Sequence, residues 1–408
     1  MEGSKEYLIS AAKSKWISEN KKCNVPCHIV IKVTPKCNLQ CVYCYSNGTE
    51  KQSEVIDVKM VESMFDQLFE DGRTYKITCC FHGGEPMLYL DTVKEIIDVL
   101  SKKYYADRIF YQIQTNATLI NEKNIEYIKN HMNSIGISID GVGEINDLTR
   151  KYGNGSGSFS HLERGIDILD ENDVIFGALS VITMYNVEHL VELIKWCTNK
   201  HLRVLGLEPI FFNGRGSECR ELAVPVNLYR DKMIEVLDYC IEYNKSVEDK
   251  VRIYIRDFET VAKKILINCE SNNMCANVPC GAGTKHLGLN YNGDIYICDS
   301  FGGMSDYCIG NITKESLKET LSHPLISEFQ KRSAEKIEDC KKCEVKKYCL
   351  NGCIAKTVIQ SGKNDLNVKN EYCEYYYTIA KKIKYLLEEE QLDPHLLICS
   401  FDRFKIQK

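Results

Sequence analysis

Apolar positions fall into two alternating rhythms between about residues 28 and 212. Short runs rich in Val, Ile, Phe and Tyr at His28–Val33, Ile77–Phe81, Ile109–Gln114, Ile135–Ile139, Val174–Ile182 and Val204–Ile210 read as strands. Between them, apolar residues recur at helical spacing near 57–70, 91–103, 122–132, 159–171 and 187–199. Alternating strand and helix over this length predict a parallel sheet with helical crossovers, an α/β domain rolled into a barrel or partial barrel.

The rhythm stops after the sixth strand. PIFFNGRGSECRELAVPVN reads as a loop, and helices are expected at about 227–244 and 257–268. From Cys269 to Cys373 the chain is rich in Cys, Gly and Asn, with a hairpin signal at Tyr291–Gly293. The expected organisation is a leader segment at 1–27, a barrel at 28–212, a helical connection at 213–268, a cysteine-rich domain at 269–373, and a closing helix and tail at 374–408. No repeat or evident linker separates these parts, so the cysteine-rich part is expected to dock on the barrel.

Composition narrows the class. A net charge of −5 without a basic, aromatic-interleaved stripe gives no reason to expect nucleic acid. No apolar run is long enough to span a bilayer, and MEGSKEYLISAAKSKW is not a secretory signal, so a cytoplasmic protein with no membrane partner is expected. Against that background 21 cysteines are anomalous. Disulfide-dense chains are usually small and exported, whereas spaced cysteines in a large cytosolic chain more often bind metal or act in redox chemistry.

Spacing decides the matter. CNLQCVYC follows the first strand and sets Cys37, Cys41 and Cys44 in a C-x3-C-x2-C pattern. Three thiolates can hold three irons of a [4Fe-4S] cluster and leave the fourth open to a small molecule. The bland alternative is a zinc site, which would want a fourth ligand, with His28 the only nearby candidate. The motif resembles the signature of the radical S-adenosylmethionine (SAM) superfamily, with Tyr43 matching the aromatic residue before the third cysteine. The resemblance implies that the open iron binds the amino and carboxylate groups of SAM, and that one-electron reduction yields a 5′-deoxyadenosyl radical.

Three further motifs fall where that resemblance needs them. FHGGEP, after the second strand, supplies His82, Gly83, Gly84, Glu85 and Pro86, and resembles the segment that binds the SAM amino group. Its paired glycines allow close backbone approach. QTNAT ends the third strand with Gln114 and Asn116, and SIDG ends the fourth with Ser138. Ser138 and Arg150 suit a carboxylate, because a guanidinium offers a planar fork of donors. They resemble the pair that holds the SAM carboxylate in peptide-modifying members. Singly, each reads as an ordinary turn, cap or ion-pair residue. Together they lie at C-terminal strand ends, where parallel α/β barrels place their sites.

Downstream, Cys280, Cys298, Cys340, Cys343, Cys349, Cys353 and Cys373 follow the order of the SPASM extension of radical SAM proteins, across about residues 275–373. A zinc ribbon is the alternative for the C-x2-C part. The resemblance implies two auxiliary [4Fe-4S] clusters, making three in all. Cys280, Cys298 and Cys353 would hold the first and Cys340, Cys343, Cys349 and Cys373 the second. Cys275 is placed to complete the first, as in sulfatase-maturing relatives. Otherwise that iron stays open to a substrate thiolate. Asp299 follows Cys298 where those relatives carry a general base, although a turn aspartate is an equally good reading of the residue alone.

The expected fold class is therefore α/β, a partial (β/α)6 radical SAM barrel followed by a cysteine-rich SPASM domain. The expected function is oxidative modification of a side chain in a ribosomally made peptide, forming a thioether or a carbon–carbon or cyclophane cross-link. The alternative is conversion of Cys or Ser to formylglycine in a sulfatase. The resemblance implies a peptide or protein substrate and a reductant such as flavodoxin or ferredoxin. Residues 1–27 leave no room for a separate leader-binding domain, so recognition is expected to use the core, a partner or an edge strand. A non-catalytic electron carrier and a zinc-organised interaction protein are the readings from other classes.

Overall fold

In the first strand, HIVIKVT, side chains alternate between two faces. The computed structural model describes residues 27–70, 76–104, 108–267, 280–349, 351–362 and 365–399. Ile29, Ile31 and Val33 of β1 (His28–Thr34) are fully buried. They share one core with Ile77, Cys79 and Phe81 of β2 (Ile77–Gly83), with Val61, Met64, Phe65 and Leu68 of α1 (Val58–Glu70), and with Val93, Ile96 and Leu100 of α2 (Leu90–Lys103). The opposite face of β1 and β2, carrying His28, Lys32, Cys80 and His82, therefore looks away from these helices. Cys79 and Cys80 divide accordingly: Cys79 packs in the core, and Cys80 pairs in register with Val30 and Gln112 on the other face.

The alternation continues through β3 (Ile109–Thr115), α3 (Ile125–His131), β4 (Ser134–Ser138), α4 (Glu144–Thr149), α5 (Phe159–Glu171), β5 (Phe176–Ile182), α6 (Leu190–Asn199) and β6 (Val204–Pro209). All six expected strands form, in sequential parallel order from β1 to β6. Two features depart from the sequence reading. A two-residue β7 (Tyr254–Ile255) adds a seventh parallel strand beside β6. The expected connection helices, α7 (Val226–Ser246) and α8 (Arg256–Ile267), flank it.

The second departure is at the other edge. The hairpin predicted at Tyr291–Gly293 joins β8 (His286–Leu289) to β9 (Asp294–Tyr296), with Gly293 at φ 88°, where glycine carries no Cβ penalty. Rather than docking as a separate layer, β8 pairs parallel with β1 and extends the sheet. β10 (Cys308–Asn311) follows antiparallel, giving ten strands in the order β10-β9-β8-β1-β2-β3-β4-β5-β6-β7. The first cysteine motif and the start of the cysteine-rich part thus share one sheet.

Short helices complete the C-terminal part: α9 (Leu317–Thr320), α10 (Pro324–Gln330), α11 (Glu338–Lys341), α12 (Lys346–Cys349) and α13 (Ile354–Ser361). The expected closing helix is α14 (Cys373–Glu388). Tyr375 of α14 and Tyr372 before it pack edge-on against buried Tyr229 of α7, with ring centroids 4.8 and 5.1 Å apart. Glu208 of β6 accepts from Arg256 of α8 at 2.5 Å and pairs with Lys356 of α13, tying barrel to cysteine-rich part. Among the described residues, no helix is long and apolar enough to cross a membrane.

Candidate functional site

The cysteine loop leaves the C-terminal end of β1 and is held by backbone contacts that do not involve its thiols. Leu39 bridges to Tyr152, Gln40 N–H donates to Lys151 O at 2.7 Å, and Val42 N–H donates to Thr149 O at 3.0 Å. The NGRG turn after β6, read only as a loop from sequence, clamps it from the other side. Arg215 donates from Nε to Cys41 O at 3.0 Å and from Nη1 to Gly48 O at 3.1 Å. Gly214 (φ 56°) lies so close that a Cβ there would sit 2.5 Å from Tyr45 O. A glycine pair around an arginine directly after a barrel strand was the available signal.

Side-chain hydrogen bonds join the C-terminal ends of β1 to β4. Asn116 donates from Nδ2 to Asn38 Oδ1 at 2.9 Å and lies 3.9 Å from Cys37 Sγ. Glu85 accepts from Met87 N at 3.0 Å, Thr115 Oγ1 at 2.7 Å and Asn116 N at 2.8 Å. Its carboxylate therefore ties the GGEP turn to β3. Burial raises its pKa and these hydrogen bonds lower it, with a net rise. Gln114 donates from Nε2 to Ser138 Oγ at 3.0 Å. His82 faces Tyr45 edge-on at 6.2 Å and accepts from Gly83 N at 2.7 Å, and burial lowers its pKa.

Gly83 and Gly84 fit this site only as glycines. A Cβ on Gly83 (φ 136°) would lie 2.4 Å from Thr34 O, and one on Gly84 would lie 2.1 Å from Lys36 O. Gly84→Ala is thus expected to push the cysteine loop out of place. Iron content should fall by about four of twelve atoms, and SAM cleavage by roughly a hundredfold, as a displacement near 1 Å can cost. Iron analysis and 5′-deoxyadenosine quantification would check this.

Tyr43 and Arg150 form one buried network. Arg150 Nη1 donates to Tyr43 Oη at 2.8 Å, and Tyr43 Oη donates to Asp140. Asp140 also accepts from Thr149 Oγ1 at 2.7 Å and Val181 N at 3.0 Å. Sequence reasoning had not singled out Asp140 as the anchor of this network. Arg150 is 7 % exposed, and its Nε is buried without a hydrogen-bond partner. An orphaned guanidinium donor beside the cysteine loop fits an incoming carboxylate, the role expected for Arg150 with Ser138.

All three described cysteine sets assemble. Within Cys37, Cys41 and Cys44, within Cys280, Cys298 and Cys353, and within Cys340, Cys343, Cys349 and Cys373, the thiols lie close enough for each charge to oppose the next. The last four line a pocket of about 390 Å³, open mouth included, together with Asn351 and Asn370. Burial pushes Cys41 and Cys349 up to about 11 and Cys280 up to about 12. Such thiols ionise only when a cation takes the proton's place, which is the linkage of a metal site. Cys275 lies outside the described residues.

Zinc fits less well. Ligand sulfurs of one tetrahedral ion lie about 3.8 Å apart. Among the described residues, the only three metal-ligating side chains with atoms within 4.8 Å of one another are His286, Cys298 and Asp299. No triad of the described cysteines is that compact, whereas a multi-iron cluster spaces its ligands more widely. His28, the proposed fourth zinc ligand, starts β1 and is separated from Cys37 by the strand, roughly 20 Å. It bonds His286 instead, Nδ1 to Nδ1 at 2.9 Å.

Asp299 follows Cys298 at the mouth of β9 and accepts from His286 Nε2 at 2.8 Å. Burial would raise its carboxyl. The His286 hydrogen bond, helped by the neighbouring His286, His82 and Lys32, outweighs that and holds it well below the usual carboxylate range. Because Gly288 has no side chain, the Asp299 backbone can approach β8, where a Cβ would lie 2.9 Å from Asp299 Cα.

Comparison with known proteins agrees with this geometry. Residues 31–197 match the Radical SAM superfamily and residues 280–344 the SPASM iron–sulfur cluster-binding domain. The chain is 34% identical over 291 residues to protein MJ0907 of Methanocaldococcus jannaschii, covering 71% of this chain and 90% of that one. It is 27% identical over 368 residues to a cysteine-type anaerobic sulfatase-maturating enzyme of Clostridium perfringens, covering 86% and 94%. Among solved structures, native anSMEcpe with bound AdoMet and the Cp18Cys peptide superposes with a TM-score of 0.74 at 26% identity, covering 90% of this chain and 98% of that one. The open three-cysteine loop, the strand-end network around it and the seven downstream cysteines have one common explanation: this chain belongs to the radical SAM superfamily and is an enzyme of its SPASM-containing maturase branch.

Proposed function

We propose that this enzyme reductively cleaves SAM and oxidatively modifies a side chain of a ribosomally made peptide, forming a thioether or a carbon–carbon or cyclophane link. The observation that carries the SAM half is the orphaned Arg150 Nε close to Cys41, at the face where Cys37, Cys41 and Cys44 gather. When bound, SAM on a three-cysteine cluster supplies a hydrogen-abstracting radical after one-electron reduction, and two auxiliary clusters on the downstream cysteines offer a path for released electrons.

The chain's own residues do the rest. Arg150 and Ser138 donate to a carboxylate. The carbonyls of the GGEP turn accept from an ammonium, with Gly83 and Gly84 letting them approach. Tyr43 and Asp140 hold Arg150 in place, and Gln114 orients the Ser138 hydroxyl. Asp299 takes a proton from the substrate as it is oxidised. A reductant such as flavodoxin or ferredoxin would deliver the first electron. The second reading, formylglycine formation in a sulfatase, is favoured by Asp299 itself, which can serve a thiol or hydroxyl substrate equally well.

Anaerobic reconstitution tests the proposal. Roughly twelve irons per chain, four for each of three clusters, and 5′-deoxyadenosine formation under reduction are expected. A mass loss of about two hydrogens per linkage in a co-expressed or synthetic peptide would complete the case, set against formylglycine in a sulfatase peptide. Clusters without SAM cleavage would point to an electron carrier, and zinc without iron to an interaction module.

A further inference from the structure

Between the cysteine loop, β1 and the β8–β9 hairpin lies a pocket of about 590 Å³, open mouth included, lined by Lys32, Tyr45, Asn213, Asn290 and the glycines 302 and 303 among others. Among the described residues, no candidate cluster ligand lines it, and neither do Ser138 and Arg150. It is therefore distinct from the cluster sites and from the SAM carboxylate position, although Gly83 forms part of its wall.

Its polar groups are built and unspent. Lys32 is 7 % exposed and donates one long hydrogen bond, to Ser46 Oγ at 3.4 Å. The ammonium lies 4.9 Å from the Tyr45 ring centroid and against Gly302, where a Cβ would come within 2.3 Å of Nζ. Burial pushes its pKa down, and Asp299, the carboxylate that opposes this, is already taken by His286. Asn213 spends its Oδ1 capping Gly214 N at 2.8 Å, and its Nδ2 is buried without a partner. Asn290 Oδ1 is likewise buried and unpartnered. Lys32, Asn213 and Asn290 line one cavity, and a buried amide donor or acceptor left without a partner carries a desolvation cost that a ligand would remove.

We propose that this pocket binds a carboxylate of the peptide substrate, to which Lys32 Nζ and Asn213 Nδ2 donate, with an adjoining peptide N–H donating to Asn290 Oδ1. The inference rests on the peptide-maturase reading and names its substrate class: a peptide with an acidic residue, or its own C-terminal carboxylate, next to the residue that is modified.

The test uses the reconstituted, SAM-loaded protein immobilised without oxygen and random nine-residue peptides. One pool is C-terminally amidated and the other is left as the free acid. Mass-spectrometric sequencing of the retained amidated fraction is expected to show Asp or Glu enriched about tenfold at one position, the discrimination a desolvated charge-assisted contact gives. Retention confined to the free-acid pool would assign the C-terminal carboxylate instead. Lys32→Met should erase the enrichment and Lys32→Arg should keep part of it. Asn213→Asp preserves the Gly214 cap while replacing the donor with a negative oxygen, and should also suppress enrichment. Unchanged iron content and visible spectra check that the variants are intact. No acidic preference in either pool, or a preference that survives both Lys32→Met and Asn213→Asp, would overturn the assignment. Adding reductant and reading mass changes in retained peptides separates the two claims. Enrichment without modification rejects the maturase reading alone, and modification without enrichment rejects the pocket alone.

Discussion

Replacing Cys37, Cys41 and Cys44 together by alanine is expected to abolish 5′-deoxyadenosine formation while about eight of twelve irons remain bound. The selectivity follows from the architecture. The loop is held by backbone contacts from Leu39, Gln40 and Val42 and by the Arg215 clamp, none of which needs a thiol. The auxiliary cysteines are carried by the segments flanking the β8–β9 hairpin, Cys280 before it and Cys298 after it, and by the helices and turns from α11 to α14. Iron quantification, absorption spectra and chromatography of the cleavage product read the outcome. Residual SAM cleavage in the triple variant, or loss of all iron, would reject the division of labour drawn above.

Asp299→Asn is expected to leave SAM cleavage intact and to lower substrate modification by roughly a hundredfold to ten-thousandfold, the range for a lost general base. Asparagine keeps the shape and can still accept from His286, so the change isolates the charge. Burial, together with the neighbouring His286, pushes His28 down to about 3, so His28 is neutral. His286 donates from Nε2 to Asp299, and its Nδ1 meets Nδ1 of the neutral His28 at 2.9 Å, so the pair fixes the carboxylate in place. Because the Asp299 carboxyl lies well below its ordinary range, the base is ionised throughout neutral pH, and base strength would fail only as pH falls far below about 4. The ratio of product to 5′-deoxyadenosine should be flat across neutral pH in the wild type. A ratio that Asp299→Asn leaves unchanged would remove Asp299 from the chemistry.

The groups that carry the chemistry were legible in the chain because their signal is local. Thiolates that share a cluster through one loop must be spaced within a few residues, and Cys37, Cys41 and Cys44 are. Paired glycines at a strand end announce a close approach, and Gly83 and Gly84 make one. The six barrel strands and their helices were legible for the same reason, since periods of two and 3.6 residues are set by neighbours in sequence. Cys275 remains a sequence expectation alone.

What the tertiary structure decided are the relations between distant segments. β8 pairs with β1 across more than 250 residues, and that register sets His286 beside His28 and Asp299 near Lys32. Nothing in the local pattern of either strand marks the other as its partner, because backbone hydrogen bonding between strands is indifferent to sequence and register is chosen by the packing of the whole sheet. The Arg215 clamp, the Asp140 anchor under Tyr43 and Arg150, and the pocket around Lys32 have the same origin. Each is a polar group whose meaning depends on what long-range folding leaves beside it: a partner, or a vacancy for one.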